Sequence, residues 1–155
     1  MIRETLNQAV PPLHSINEPR KGSTTPGSDD LSSTSTPLTV YLTPGTDGSL
    51  DLYDPEEFKQ LAKRIHASSP ASQDGRAFRR LFYAQAIQVD MDRQGRLRIP
   101  AELMELAKLS GEVMLVGVGD HMEIWNPDQW QAYLAEKQTK FDEIAEKALA
   151  WPPRS

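Results

Sequence analysis

Hydrophobic and polar residues alternate most clearly from residue 87 to residue 99, and this pattern predicts two short strands around a tight turn. The apolar residues at alternating positions are Ile87, Val89, Met91, Leu97 and Ile99. Gly95 supplies the left-handed conformation that a turn needs. Since Leu97 and Ile99 take one face of the return strand, Arg96 and Arg98 take the other. Pro100 suits the first position of a following helix.

This turn is the main candidate for chemistry in the chain. It places two guanidinium groups side by side, which suits recognition of phosphates or base edges better than catalysis. Asp92 and Arg96 also lie close enough in sequence to form an ion pair across the turn. Charged turns of this kind are often simply solvated, so a purely structural pair is the alternative interpretation.

From residue 38 onward the pattern repeats at an offset of 72 residues. The matching pairs are Leu50 with Met122, Leu52 with Ile124, Tyr53 with Trp125, Pro55 with Pro127, and Phe58 with Trp130. Each copy predicts a hairpin, a helix N-cap (Asp54 or Asn126) and a helix that begins with proline. The chain is therefore predicted to contain two related halves.

Three segments follow from these patterns. Residues 1–37 are predicted to form a flexible arm, because thirteen of the sixteen residues from 22 to 37 are Ser, Thr, Pro or Gly. Residues 38–73 form the first half-repeat and residues 74–150 the second. The second half includes a short helix over 74–82 and a last helix over about 127–149. That last helix carries an apolar stripe that predicts core or subunit contact: Trp130, Leu134, Phe141, Ile144 and Ala148.

The repeat also predicts a counterpart of the charged turn near residues 14–26. Asn17 stands where an aspartate is expected, and Ser23 stands where an arginine is expected. Arg20 and Lys21 retain positive charge there, but the motif itself is degenerate.

Composition narrows the function classes. The 155 residues are 38% hydrophobic and include no cysteine, which excludes disulfides, zinc–thiolate sites and thiol nucleophiles. No apolar run suggests a signal peptide or a transmembrane span, so we expect a cytosolic protein. The net charge is −5, yet residues 76–98 hold six arginines against two aspartates. This basic strip suits DNA binding by an assembly of subunits, or packing against an acidic neighbour.

An enzyme is not expected. The three histidines, His14, His66 and His121, show no metal-ligand spacing, and His121 is expected to be solvated at a hairpin tip. Nucleophile-elbow, phosphate-loop and dinucleotide motifs do not occur. No cofactor, no metal site and no small-molecule substrate are predicted.

Several motifs of the second half closely resemble the MraZ family of bacterial regulators. They are Arg76-Ala77-Phe78-Arg79-Arg80-Leu81, the segment 92–100, the segment 113–120, Glu123-Ile124-Trp125 and Phe141-Asp142-Glu143-Ile144-Ala145. The segment 38–65 is similar to the first half of that family. The resemblance implies an α+β fold of β-hairpins and helices, the AbrB-like swapped-hairpin barrel, here as an intrachain pseudo-dimer. It also implies a homo-oligomeric ring.

The resemblance further implies binding to short double-stranded DNA sites upstream of the protein's own operon, within the division and cell-wall gene cluster. In the family the Asp-x-x-x-Arg turns recognise DNA, a role that falls here on Asp92 and Arg96. Asp92 shapes the turn, and Arg96 reaches a phosphate or a guanine edge. Arg93 and Arg98 join them on charge geometry alone.

Two hypotheses remain open. The first is a cytoplasmic, nucleoid-associated transcriptional regulator. The second is a self-assembling structural protein that has lost specific DNA binding together with its first turn.

Overall fold

The computed structural model describes residues 37–68 and 71–150, which form an α+β fold. The strands are β1 (Leu38–Pro44), β2 (Leu50–Tyr53), β3 (Ile87–Met91), β4 (Met114–Gly117) and β5 (Met122–Trp125). The helices are α1 (Pro55–Ala67), α2 (Gln73–Gln85), α3 (Ala101–Leu106), α4 (Pro127–Gln138) and α5 (Phe141–Leu149). The predicted arm and the degenerate motif at Asn17 and Ser23 lie outside the described residues, apart from Pro37. Within those residues, no helix combines the length and apolarity needed to cross a membrane.

The two hairpin–cap–helix units are confirmed. β1 pairs with β2, and β4 pairs with β5, both antiparallel. Asp54 caps α1 by accepting a hydrogen bond of 2.8 Å from the backbone N–H of Glu57. Asn126 caps α4 in the same way, accepting from the backbone N–H groups of Asp128 and Gln129. In each unit the side-chain cap satisfies backbone donors that the first helical turn leaves without partners.

The five strands form one antiparallel sheet in the order β3-β1-β2-β5-β4. The two hairpins meet where β2 pairs with β5, with Leu50 opposite Ile124, Asp51 opposite Glu123, and Leu52 opposite Met122. This register is symmetric about Asp51 and Glu123, which occupy matching positions of the repeat. Among the described residues the sheet is open at β3 and β4 and does not close into a barrel.

The sheet buries apolar residues on both faces. The main core lies on the face covered by α3 and its C-terminal extension, and its buried members are Val40, Leu42, Leu50, Leu52, Leu103, Ala107, Leu109, Met122 and Ile124. Aromatic rings cover the opposite face, where Tyr41 stacks on Phe58 of α1 at 4.1 Å between centroids. Phe58 in turn stacks on Phe82 of α2. Strand alternation thus sends aliphatic and aromatic residues to different sides of the sheet.

The prediction of one helix over 127–149 is wrong, because the chain breaks between α4 and α5. The Thr139 hydroxyl donates to the backbone carbonyl of Glu136, and the Lys140 N–H donates to the carbonyl of Lys137 only three residues back. Such local bonds compete with the regular helical ladder and end the helix. The apolar residues of α5 remain exposed, among them Phe141, Ile144 and Leu149.

The predicted return strand over 97–99 is also absent, although the predicted burial is correct. Leu97 and Ile99 are half-buried against the core, whereas Arg96 and Arg98 are exposed. Residues 96–100 form no ladder with β3, so apolar packing against the core, rather than strand pairing, places them. Pro100 is the N-cap of α3, one residue earlier than predicted.

Candidate nucleic-acid interface

A tight turn connects β3 to the segment that leads into α3. The Asp92 N–H donates to the Arg96 carbonyl at 2.8 Å, and the Gly95 N–H donates to the Asp92 carbonyl at 3.0 Å. Gly95 has a φ of 74°, in the left-handed region that side chains with a Cβ resist. The prediction that Gly95 makes this turn possible is confirmed.

The Asp92 carboxylate organises the turn from inside. Its Oδ1 accepts hydrogen bonds from the backbone N–H groups of Gln94 and Arg96, at 2.8 and 2.9 Å. Its Oδ2 accepts a hydrogen bond of 2.7 Å from Arg96 Nε. The backbone and side-chain bonds from Arg96 hold the pKa of Asp92 below its usual value of 3.8. The carboxylate is therefore charged at neutral pH, and the turn stays closed.

The ion pair between Asp92 and Arg96 is thus present, as the structural interpretation of the turn predicts. It occupies only the Nε–H of Arg96, and the side chain remains 58% exposed. A guanidinium carries four further N–H donors, on its two Nη atoms. No described residue accepts a hydrogen bond from them. The pair therefore orients Arg96 while leaving the donors that suit a phosphate or a guanine edge.

Arg93 and Arg98 lie on either side of this group. Both side chains are exposed, and neither forms an ion pair or hydrogen bond with any residue that the structure describes. Together with Arg96 they form a surface that we call the basic turn, made of Asp92, Arg93, Arg96 and Arg98. Its four residues carry three positive charges and one negative charge, whereas the whole chain has a net charge of −5.

The arginines of α2 do not all extend this surface. Arg79 Nη2 donates to the backbone carbonyls of Ile65, His66 and Ser68, at 3.0, 2.8 and 2.5 Å. These carbonyls lie at the C-terminal end of α1, where backbone acceptors lack helical partners and a cation is favourable. Arg79 therefore links α2 to α1 and does not add to the exposed positive surface. The basic strip predicted over residues 76–98 thus presents fewer arginines to solvent than the six in its sequence.

The expectation of a solvated His121 is wrong. Its side chain is only 17% exposed and stacks on the Tyr53 ring at 4.6 Å between centroids. His121 lies beside Asp51 and Glu123, two residues that sequence analysis did not select. The signal available in the sequence was the repeat itself, which aligns Asp51 with Glu123 at matching strand positions.

Comparisons with known proteins agree with the motifs of the second half. The model of the MraZ protein family matches residues 82–150, which include the whole basic turn. A transcriptional regulator MraZ from Carboxydothermus hydrogenoformans is 42% identical over 108 residues, covering 70% of this chain and 76% of the relative. The chain belongs to the MraZ family.

Two further MraZ relatives give the same result. The transcriptional regulator MraZ of Heliobacterium modesticaldum is 37% identical over 107 residues, covering 69% of this chain and 75% of the relative. That of Lactiplantibacillus plantarum is 38% identical over 108 residues, covering 70% and 77%. The resemblance to MraZ found in the sequence motifs is thereby confirmed.

Proposed function

We propose that this MraZ-family chain is a sequence-specific DNA-binding transcriptional regulator that acts as a ring-like homo-oligomer. Its ligand is double-stranded DNA upstream of its own operon, in the division and cell-wall gene cluster. The observation that carries the proposal is the basic turn, in which Asp92 fixes Arg96 by one N–H and leaves its other donors exposed. The relatives' name, transcriptional regulator, supports the same function. Such a protein works in the cytoplasm, associated with the nucleoid.

The arginines of the basic turn are assigned different contacts with DNA. Arg96 reads a base edge or positions a phosphate, because its direction is set by Asp92. Arg93 and Arg98 neutralise phosphates on either side, since exposed cations without local partners suit the DNA backbone. One turn of this size gives weak binding, and an oligomer multiplies it through effective concentration.

Assembly is supported by α5. Its apolar side chains, including Phe141 and Leu149, are exposed, and no other part of the described chain covers them. We propose that this helix contacts a second subunit. Phe141→Asp is expected to lower the mass measured by light scattering during size-exclusion chromatography. Gln131→Asp, on an exposed position of α4, is the matched control and leaves the mass unchanged.

The swapped-hairpin barrel belongs to the same proposal. The proposed half-repeats, residues 38–73 and 74–150, pair through β2 and β5 in a register that is symmetric about the matching residues Asp51 and Glu123, and also through β1 and β3. A two-fold axis between equal halves produces this register, which supports an intrachain pseudo-dimer. In the sequence of residues 1–37, Asn17 and Ser23 stand where the repeat predicts the aspartate and arginine of a first Asp-x-x-x-Arg motif.

Fluorescence anisotropy tests the DNA-binding proposal. The full chain is titrated into a duplex from upstream of its own gene and into a scrambled duplex, each at two salt concentrations. We expect a preference of at least about tenfold for the native duplex, with steep salt dependence. Arg96→Ala removes most of that preference, since one good base contact contributes about 1–3 kcal/mol of discrimination.

Two variants complete the design. Arg98→Ala weakens binding to both duplexes and reduces the salt slope by about 0.9 for each phosphate that the variant no longer neutralises. Lys59→Ala removes one exposed positive charge from α1 and leaves binding unchanged. If Arg96→Ala binds the native duplex as wild type does, the role of Arg96 is refuted.

The alternative function is a self-assembling structural protein without specific DNA binding. The exposed apolar helix α5 and the missing first motif favour it. Its signature is a large assembly that binds native and scrambled duplexes equally well, or not at all.

A further inference from the structure

Three donor atoms converge at the junction of the two halves, on the sheet face opposite the main core. His121 Nε2 lies 3.7 Å from Asp51 Oδ2 and 3.9 Å from Glu123 Oε1. All three atoms lie within 4.8 Å of one another. These separations exceed an ordinary hydrogen bond, so the three donor atoms are close neighbours that do not bond to each other directly, and we call the space between them the centre of the site.

The two carboxylates are an unfavourable pair as they stand. Asp51 and Glu123 are directly opposite in the β2–β5 register, and like charges at such positions destabilise a sheet. Their side chains are only 15% and 24% exposed, so water screens them poorly. A cation between them removes both the repulsion and the cost of burial.

The atoms of each group that point away from this centre are held by other residues. His121 Nδ1 lies 2.6 Å from Asp120 Oδ1, and this contact orients the ring so that Nε2 faces the two carboxylates. Trp125 Nε1 donates to Glu123 Oε2 at 2.7 Å, and the Ser49 hydroxyl donates to Asp51 Oδ1 at 3.3 Å. Supporting bonds of this kind orient the ligands of protein metal sites.

A further polar group lies in the same row of the sheet. Thr43 is directly opposite Asp51 on the other neighbouring strand and is fully buried. Its hydroxyl oxygen has no hydrogen-bond partner among the described residues. Buried hydroxyls are normally satisfied, so this one is consistent with a site that takes a polar ligand.

We propose that Asp51, His121 and Glu123 bind one divalent transition-metal ion, of the Zn²⁺ class, at the junction of the two halves. Zn²⁺ binds N and O ligands at about 2.0–2.2 Å, which sets tetrahedral ligand atoms about 3.4 Å apart. The distances from His121 Nε2 to the two carboxylate oxygens, 3.7 and 3.9 Å, are close to this value, and the two oxygens, within 4.8 Å of each other, would approach one another when an ion binds. An imidazole ligand favours Zn²⁺ over Mg²⁺ and Ca²⁺, which prefer oxygen alone.

The ion would fasten β2 of one half to β5 of the other. Asp51 and Glu123 occupy matching positions of the repeat and face each other, so the ion would lie close to the axis that relates the halves. This role is structural and separate from DNA recognition by the basic turn, so it does not depend on the proposed function.

Isothermal titration calorimetry and thermal unfolding test the proposal on the untagged full chain after chelation. We expect one Zn²⁺ to bind per chain and to raise the midpoint of unfolding, because a ligand that binds only the folded state stabilises it. Mg²⁺ at the same concentration leaves the midpoint unchanged. Absence of Zn²⁺ binding to the wild type overturns the site, as does an equal effect of Mg²⁺.

Variants locate the ion. His121→Gln and Glu123→Gln are each expected to weaken Zn²⁺ binding by more than about tenfold, and Asp120→Asn by about 10- to 100-fold. His14→Gln and His66→Gln remove the chain's other histidines and keep wild-type affinity. Wild-type affinity in both His121→Gln and Glu123→Gln refutes the assignment.

The unfolding midpoint without metal separates the loss of a ligand from the loss of folding. Without metal, Glu123→Gln is expected to unfold at a higher temperature than the chelated wild type, because it relieves the like-charge contact with Asp51. A variant that is more stable without metal and no longer responds to Zn²⁺ identifies Glu123 as a ligand. A Glu123→Gln variant that still gains the wild-type increase with Zn²⁺ excludes it.

Discussion

Arg79 offers a sharp test of how α1 and α2 are joined. Its Nη2 atom donates to three carbonyls at the C-terminal end of α1, while the neighbouring Arg80 is exposed and makes no contact of this kind within the described chain. Arg79→Ala and Arg80→Ala remove the same charge from adjacent positions of one helix. The pair therefore separates a structural contribution of the contact from any effect of net charge.

The contacts set the expected magnitude. A hydrogen bond to a charged group contributes about 1.5–3 kcal/mol, and Nη2 carries two hydrogens, so the gross loss is about 3–6 kcal/mol. Truncation releases up to about 2 kcal/mol of side-chain entropy, and water can reach the carbonyls of the exposed residues His66 and Ser68. We expect Arg79→Ala to destabilise the fold by about 2 kcal/mol and Arg80→Ala by less than about 0.5 kcal/mol.

Urea unfolding followed by circular dichroism measures both values. For a chain of this size, about 2 kcal/mol also corresponds to a decrease of about 4–8 °C in the midpoint of thermal unfolding. Arg79→Lys is expected to recover only part of the loss, because an ammonium group lacks the planar fork that reaches several acceptors. If Arg79→Ala and Arg80→Ala unfold at the same urea concentration, Arg79 does not fasten the helices.

Three other measurements test the core and the basic turn. Leu42→Ala, at a fully buried position, is expected to cost about 3 kcal/mol in urea unfolding, whereas Leu38→Ala at an exposed position costs less than about 0.5 kcal/mol. Gly95→Ala is expected to cost about 1–2 kcal/mol from its positive φ alone, since no atom lies within 4 Å of the added Cβ; an unchanged stability contradicts this. The pKa of Asp92 is lowered on folding, so its contribution is present above the unfolded value of 3.8 and is lost as pH falls through the folded value. The amide NMR signals of Gln94 should therefore titrate with a midpoint below 3.8, and Asp92→Asn should abolish that step.

The parts of the fold that depend on local pattern were predictable. The caps at Asp54 and Asn126, the left-handed Gly95 and the alternation in β3 follow from neighbours within a few residues. The repeat further predicted two similar hairpin–helix units, because matching apolar positions require matching faces. The ion pair of Asp92 with Arg96 is likewise a local feature, because the two residues are four apart on either side of one turn.

The remaining features depend on contacts distant in sequence. Arg79 binds carbonyls at least eleven residues away, and no local pattern indicates which of several arginines in α2 does so. The break between α4 and α5 escapes periodicity, since the apolar spacing continues across it while a single threonine hydroxyl diverts the backbone. His121 was expected to be solvated because hairpin tips usually are, but the Tyr53 ring from the other half covers it.

The basic turn and the contact of Asp51 with Glu123 lie in different parts of the same sheet. The turn follows β3, which is an edge strand of the described sheet. The two carboxylates lie where β2 pairs with β5. Asp51 is directly opposite Glu123 there, and their like charges destabilise the pairing. Variants of the basic turn therefore leave the contact of Asp51 with Glu123 intact, and variants of His121 and Glu123 leave the basic turn intact, so the DNA-binding and metal-binding proposals can be tested separately.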